Sequence, residues 1–311
     1  MTKKLFAAAS TFGDRAAICH TDVLTVIEKD ISALKTSSHY GEAAKAATQF
    51  YSTKLPETDF PIRSLVLVAK AEPIVNLLFC LNGKEISIFT PNSFQKARDS
   101  FQEPANYLPK LFNENGYNLK EWGWGWGVPP LKMLAVRSGF AKYGRNNLTY
   151  VKGLGSRHSL GVFVSDYMCD DNKIHPLEQM EQCALCSVCL NACPTQAITA
   201  ERRQIYAERC LTYLNEFLDI PNIREFPDWL DSTAHHGTHG CIRCQQICPA
   251  NQGAIHIITP VRFDEAETQM ILDGKSKIEL PEETRMKLEM VGELDYLPIL
   301  PRNLSAAFSN I

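Results

Sequence analysis

The feature that most constrains this chain is the spacing of its cysteines, eight of which lie between Cys183 and Cys248. The first group, Cys183 to Pro194, has the pattern C-x2-C-x2-C-x3-C-P, which is the iron–sulfur pattern of bacterial ferredoxins. The second group, Cys241 to Pro249, has the pattern C-x2-C-x3-C-P and is one cysteine short. The spacing predicts two [4Fe–4S] clusters. A pair of zinc sites is the alternative, because zinc sites also use C-x2-C spacing.

The ferredoxin pattern also predicts how the cysteines are shared between the clusters. The cysteine before the proline ligates the other cluster, so Cys248 completes the first group and Cys193 joins the second. The second set then lacks one ligand, and Cys210, which lies alone between the groups, is the candidate. The predicted sets are Cys183, Cys186, Cys189 and Cys248 for the first cluster, and Cys193, Cys210, Cys241 and Cys244 for the second.

Composition narrows the cellular context. The 311 residues carry a net charge of −3, whereas nucleic-acid binders usually have a basic surface. No apolar stretch approaches the roughly 18 residues of a membrane helix, and the N-terminus lacks a convincing export signal. We therefore expect a cytoplasmic chain that does not bind a membrane and is not expected to bind nucleic acid.

The order of predicted elements indicates an α+β fold. Residues 1–60 are predicted to be mostly helical and residues 92–120 to return to helix. A buried strand is predicted over 62–69, and Asn82-Gly83 predicts a hairpin turn. Pro129-Pro130 is predicted to open a helix.

Three units follow from this organisation. Residues 1–168 are predicted to form an α/β domain, residues 169–260 a cysteine-rich unit, and residues 261–311 a helical tail that packs on the core. The remaining cysteines, Cys19 and Cys80 among them, are predicted to be small buried hydrophobes.

Three segments of the cysteine-rich unit match a known family. They are Cys183–Ile198, Arg209–Leu214 around the isolated cysteine, and Gly240–Asn251. Together they resemble the ferredoxin module of epoxyqueuosine reductases. In that family the isolated cysteine completes the second cluster, which supports Cys210 as a ligand.

Segments outside the cysteine-rich unit extend this resemblance. Arg137–Leu148 resembles the family's A-G-L-G-W-x-G-K-N-T/S-L loop, and Gly155–Asp166 resembles its G-S-W-F-F-L-G-E-x-x-x-D stretch. Arg302–Asn310 resembles its R-N-A-x-x-x-x-x-N helix. The similarity covers the chain from about residue 130 onward.

The resemblance implies a fold and a chemistry. It implies a nitroreductase-like α/β domain that holds cobalamin beside a double-cluster ferredoxin domain, a plan that reductive dehalogenases share. Electrons would pass from the clusters to the corrinoid and then to the substrate. The matched loops imply cofactor contacts, and hydrogen bonding within the loops is the alternative. The implied contacts are Tyr143, Gly144, Arg145, Asn146, Asn147, Gly155 and Ser156.

One departure from the family concerns the proton donor. Epoxyqueuosine reductases carry an aspartate in a D-T/S-x-P-V-L-E-R stretch, whereas the segment between Trp122 and Lys132 contains no acid. Glu121 is the nearest carboxyl group and is one candidate donor. Tyr143 is the other, because neighbouring cations would lower the pKa of its phenol. A tyrosine packed in a loop is the alternative.

Three tryptophans in this segment alternate with glycine. In an extended strand Trp122, Trp124 and Trp126 would project to one face. Trp124 and Trp126 are therefore predicted to form an aromatic floor under a flat cofactor, with core packing as the alternative.

These observations predict an oxidoreductase. We expect a cobalamin-dependent iron–sulfur enzyme that reduces an unidentified small molecule. We expect its electrons to come from a small-molecule donor or a redox protein such as ferredoxin or flavodoxin. One alternative is an electron-transfer protein that reduces a partner's corrinoid. The other is a tRNA epoxyqueuosine reductase with a relocated acid.

Overall fold

The computed structural model describes most of the chain, and every structural statement below refers to the residues that it describes. These are residues 1–37, 41–91, 96, 99–125, 127–201, 204–216, 225–254, 256–258 and 260–309. The fold is mixed α and β, as the sequence predicts.

A four-stranded antiparallel sheet organises the N-terminal half. Its order is β1-β2-β8-β5, and the strands are Arg15–His20 (β1), Ser64–Ala71 (β2), His158–Ser165 (β8) and Leu119–Gly123 (β5). The region before residue 60, predicted as mostly helical, therefore also contains β1. Its sequence has two alanines and weak β-propensity, so pairing with β2 decides its conformation.

Helices cover both faces of this sheet. On one face α2 (Val23–Thr36) and α5 (Leu131–Arg137) pack on alternate β2 residues such as Leu65 and Leu67. This set is called the first core. On the other face α1 (Thr2–Thr11) and α4 (Gln102–Asn113) pack on Phe163, which belongs to the second core. A further short helix, α3, spans Glu42–Ala47.

A second sheet links the middle of the chain to its tail. Strands β3 (Ile74–Leu81) and β4 (Lys84–Pro91) form the predicted hairpin, and Asn82 and Gly83 both adopt positive φ angles. Strand β9 (Val261–Phe263) pairs in parallel with β3. Helices α9, α10 and α11 pack over this sheet in a common core. They span Glu265–Leu272, Glu282–Val291 and Leu300–Ser309.

The cysteine-rich segment consists mainly of loops and short helices. Helix α6 (Val188–Asn191) carries Cys189, and α8 (Arg243–Gln246) carries Cys244. These two helices pack against each other, and α7 (Leu211–Glu216) follows Cys210. Two small strands, β6 (Ala141–Tyr143) and β7 (Thr149–Val151), pair ahead of this segment.

No helix among the described residues is long and apolar enough to cross a membrane.

Candidate functional site

Cysteines from both motifs come together in a first set. The thiol of Cys189 interacts electrostatically with those of Cys183, Cys186 and Cys248, although Cys248 is distant in the sequence. Burial, followed by repulsion from these neighbours, raises the pKa of the Cys189 thiol to about 11. A positively charged cluster core would favour the thiolate forms that this environment disfavours when the thiols are alone.

A second set lies beside the first. The thiol of Cys241 interacts with Cys210 and Cys193, and burial raises its pKa to about 12. Cys244 interacts with Cys241 and Cys210, and also with Cys189 of the first set. The fold therefore brings the isolated Cys210 to the second motif and holds the two sets next to each other.

The spread of the cysteine sets is compatible with clusters. Within the described ranges no three His, Cys, Asp or Glu side chains converge as the ligands of one metal ion do. In a cubane each cysteine binds a different iron, so neighbouring thiols do not need to converge on one point.

Ser156 joins the sheet domain to the cysteine-rich segment. Its backbone N–H donates to Asn251 Oδ1 at 2.8 Å, and Asn251 Nδ2 donates to Ser156 Oγ at 2.8 Å and to the Gln245 carbonyl at 2.9 Å. All three residues are buried. Gly155 has a φ of +60°, and a Cβ there would lie 2.3 Å from Asn251 Oδ1. The contacts of Gly155 and Ser156 are thus made to this segment, although the sequence predicts them to bind cobalamin.

The loop after β6 also contacts the cysteine-rich segment. Arg145 donates from Nε to the Cys186 carbonyl at 3.1 Å and from Nη2 to the Cys183 carbonyl at 2.6 Å. A Cβ on Gly144 would lie 2.4 Å from the ring of Tyr150. Arg145 therefore faces the first cysteine set, and its hydrogen bonds are not made to the phenol of Tyr143.

Tyr143 and Asn147 instead line a cavity of about 440 Å³ between α2, α5 and the β6–β7 loop. The lining also includes Arg137, which forms two hydrogen bonds to Asp30 at 2.8 and 2.7 Å. Met133, Pro176, Leu177 and Gln204 add to the lining. Of the predicted cofactor contacts, the structure brings these two to one cavity.

Lys132 is a site residue that the sequence analysis does not single out. Its Nζ donates to the Asn147 carbonyl at 3.2 Å, and its charge interacts with Cys210. The Lys132 side chain is exposed to solvent. The protein atoms around its ammonium group nevertheless desolvate it, which lowers its pKa. Its position two residues after the Pro129-Pro130 helix start is the only sequence signal that points to it.

The predicted aromatic floor does not form. Trp122 packs against the first core and Trp124 against the second, on opposite faces of the sheet. The cause is a β-bulge between Glu121 and Gly123, which reverses the expected alternation. Trp124 therefore faces away from Tyr143, which packs against the first core. Trp126 lies outside the described residues.

Glu121 is also separate from the cavity. It is exposed and pairs with Phe163, a residue of the second core, so its side chain lies on the face opposite Tyr143. Desolvation raises the pKa of its carboxyl group. The structure does not bring the two predicted proton donors, Glu121 and Tyr143, together.

The histidines before Cys241 are parts of a buried polar network. His235 Nε2 lies 2.9 Å from Asn215 Nδ2, and His239 Nδ1 lies 2.8 Å from Glu293 Oε1. His236 Nε2 lies 3.4 Å from the sulfur of Cys241. His236 therefore contacts a predicted ligand, and His235 and His239 hold hydrogen bonds within the network.

We expect His158 to make the protein less stable in mild acid. Its Nδ1 lies 3.1 Å from the Gly155 carbonyl and its Nε2 3.1 Å from Thr149 Oγ1, which suits a neutral ring. Burial lowers its pKa from 6.5 to about 4. Between pH 6.5 and 4 the unfolded chain binds the extra proton, so stability falls as the pH falls, by at most about 1.4 kcal/mol per pH unit.

Urea unfolding at pH 7 and pH 5 measures this effect. In His158→Gln we expect a smaller difference in the free energy of unfolding between pH 7 and pH 5. In His20→Gln, at a half-exposed histidine of β1, this difference stays as in the parent. An unchanged pH difference in His158→Gln would contradict the assignment.

Comparison with known proteins identifies the cysteine-rich segment. Residues 182–251 match a family described as "4Fe-4S double cluster binding domain". This match confirms the prediction of a double-cluster domain, and the zinc alternative is wrong.

Curated relatives extend the similarity beyond this segment. Epoxyqueuosine reductase from Aliivibrio fischeri is 31% identical over 242 residues, which are 75% of this chain and 62% of that protein. The enzyme from Alicycliphilus denitrificans is 31% identical over 148 residues, which are 47% of this chain and 37% of that protein. The chain spans less than two thirds of the length of these relatives. The resemblance predicted from the motifs is confirmed.

Solved structures share the fold. A crystal structure of epoxyqueuosine reductase with an epoxyqueuosine-modified tRNA-Tyr stem loop matches with a TM-score of 0.62 and 17% identity, over 99% of this chain and 80% of that one. Epoxyqueuosine reductase from Bacillus subtilis matches with a TM-score of 0.61 and 19% identity, over 99% and 81%.

Two predictions from the sequence are wrong. The first concerns the function. The relatives are epoxyqueuosine reductases, which favours the alternative of a tRNA epoxyqueuosine reductase over a small-molecule reductase or an electron-transfer protein. The expectation that nucleic acid is not a partner is also wrong, because the curated relatives are epoxyqueuosine reductases and an enzyme of that name is solved with a tRNA stem loop. The near-neutral net charge was a poor basis for that expectation, because it averages over the whole chain and does not describe the charge of any one surface.

Proposed function

We propose that this chain is an oxidoreductase that removes the epoxide oxygen of epoxyqueuosine in tRNA. The relatives support the reaction, and the neighbouring cavity and cysteine sets support the site. The observation that carries the proposal is the position of Lys132, which donates to Asn147 at the cavity and interacts with Cys210 of the second set. Electron transfer requires such proximity between the clusters and the place where the substrate is reduced.

The overall reaction consumes two electrons and two protons. The epoxide loses its oxygen as water, and an alkene forms between the two carbons. The clusters supply electrons one at a time, and an external donor must replace them. The proposed ligands are the two sets of four cysteines described above.

We include cobalamin in this proposal, with the cavity as part of its site in a nitroreductase-like domain. When bound, a corrinoid supplies the low-valent metal that carries the difficult reduction. The polar wall of Asn147 and the Tyr143 ring suit the edge of such a cofactor. Arg145, Asn146, Gly155 and Ser156 contact the cysteine-rich segment, so they contribute to the site by holding the clusters close.

The proton donor is proposed to lie at the same cavity. Lys132 has an ammonium group beside the Asn147 carbonyl, and its lowered pKa favours proton release nearer neutral pH. Tyr143 lines the same space. Glu121 is not retained as a donor, because it lies on the other face of the sheet.

The proposal is tested with an epoxyqueuosine-modified tRNA stem loop. The full chain, reconstituted anaerobically with iron, sulfide and cobalamin, is given a chemical reductant, and the nucleosides are analysed by mass spectrometry. We expect loss of one oxygen from the modified nucleoside. Lys132→Met is expected to lower the rate at least tenfold, while Lys3→Met, at an exposed lysine of α1, leaves it unchanged. Absence of oxygen loss with fully loaded protein would overturn the proposal.

A further inference from the structure

A chain of hydrogen bonds connects the two cysteine sets through Asn146 and Tyr150. The Tyr150 hydroxyl donates to the sulfur of Cys248, in the first set, at 3.2 Å. Asn146 Nδ2 donates to that hydroxyl at 3.0 Å. The Asn146 side chain also hydrogen-bonds to Cys244, in the second set. The Asn146 side chain is therefore connected to both sets, to Cys244 directly and to Cys248 through Tyr150.

This connection differs from the other polar contacts to the cysteines. Among the described residues, His236 Nε2 lies 3.4 Å from the sulfur of Cys241 and Thr195 Oγ1 lies 3.7 Å from that of Cys193, and each of these contacts is made to one set. The chain through Asn146 and Tyr150 reaches one cysteine of each set. Both bridging side chains are buried, with 3% and 7% of their surface exposed, so water does not compete for these bonds.

The surrounding structure holds Asn146 and Tyr150, here called the bridge, in position. Tyr150 lies on β7, and the absence of a side chain at Gly144 lets its ring approach the loop. Asn146 Oδ1 accepts from the Leu148 backbone N–H at 3.4 Å, which orients the amide so that Nδ2 faces Tyr150. The bridge is thus built from the loop that resembles the family's cofactor loop and from the strand that follows it.

We propose that Asn146 and Tyr150 are positioning residues that raise and couple the reduction potentials of the two clusters. A reduced cluster carries more negative charge on its sulfurs, and hydrogen bonds to those sulfurs stabilise it. Because the same amide group serves Cys244 directly and Cys248 through the Tyr150 hydroxyl, stronger donation toward one cluster weakens donation toward the other, and the two potentials are coupled. The inference rests on the proposed ligand sets and is independent of the tRNA substrate.

Redox titration of the loaded protein, followed by electron paramagnetic resonance, tests this inference. Tyr150→Phe keeps the ring and removes the donor to Cys248. We expect the equilibrium constant for reduction of the first cluster to fall about tenfold, or about 59 mV for one electron. The second cluster is expected to shift less. Iron content is measured first, because loss of iron would point to failure of the ligand sets and not of the bridge.

Two further variants separate the bridge from general effects. Asn146→Leu removes the donor to Cys244, so the potential of the second cluster is expected to fall. Combined with Tyr150→Phe, its effect should be non-additive. Tyr107→Phe is the matched control, because it loses a phenol that donates to Asp14 at 3.0 Å, away from the cysteines. Potentials in Tyr150→Phe that equal those in Tyr107→Phe, or strictly additive shifts, would overturn the inference.

Discussion

Replacing Cys210 by serine is expected to halve the iron content of the reconstituted protein, from about eight to about four iron atoms per chain. Cys210 lies between the two motifs, yet its thiol interacts with Cys193 and Cys241 in the second set. Serine keeps the size of the side chain but is a poor iron ligand. The remaining signal should be that of one cluster, measured by iron analysis and electron paramagnetic resonance.

Further cysteine variants serve as controls for the iron content of Cys210→Ser. Cys169→Ser removes a thiol that lies outside both sets, and it should retain about eight iron atoms. Cys248→Ser should remove the other cluster, so the double variant with Cys210→Ser should bind almost no iron. If Cys210→Ser kept all its iron, the fourth ligand of the second cluster would have to come from elsewhere.

Replacing Asn251 by leucine is expected to destabilise the loaded protein by about 3 kcal/mol. Asn251 is 2% exposed and makes hydrogen bonds to both Ser156 and Gln245. Leucine would leave the Ser156 N–H and the Gln245 carbonyl buried without this partner. Each such group costs about 1 to 3 kcal/mol.

Urea unfolding under anaerobic conditions measures this change as a lower transition midpoint. Asn76→Leu is the control, because Asn76 accepts a hydrogen bond from Ser87 on the second sheet, away from the clusters. Its midpoint is expected to change little. Equal midpoints for the two variants would show that Asn251 does not hold the domains together.

The sequence predicts structure correctly where interactions between neighbouring residues determine the conformation. The Asn82-Gly83 hairpin and the helix after Pro130 both form, because turn residues and a proline at a helix start act within a few positions. The motif spacing likewise predicted the double-cluster domain, because the cluster itself dictates the distances between its ligands.

Long-range contacts explain what the sequence analysis missed. Strand β1 forms because β2 offers it an edge, and a bulge in β5 sends Trp122 and Trp124 to opposite cores. The role of Asn251 depends on Ser156, which lies far away in the chain. No local pattern encodes such partners.

The sequence by itself determined the chemistry that this protein can hold, because thiols at ferredoxin spacing have few other uses. Tertiary structure decided how that chemistry is arranged. It directs Arg145, Asn146 and Ser156 to the cysteine-rich segment, and it leaves Tyr143 and Asn147 at the cavity, with Lys132 bonded to Asn147. The physical reason is that hydrogen bonds between the N-terminal sheet and the cysteine-rich segment depend on how these two parts pack together. The spacing of residues in the sequence does not specify that packing.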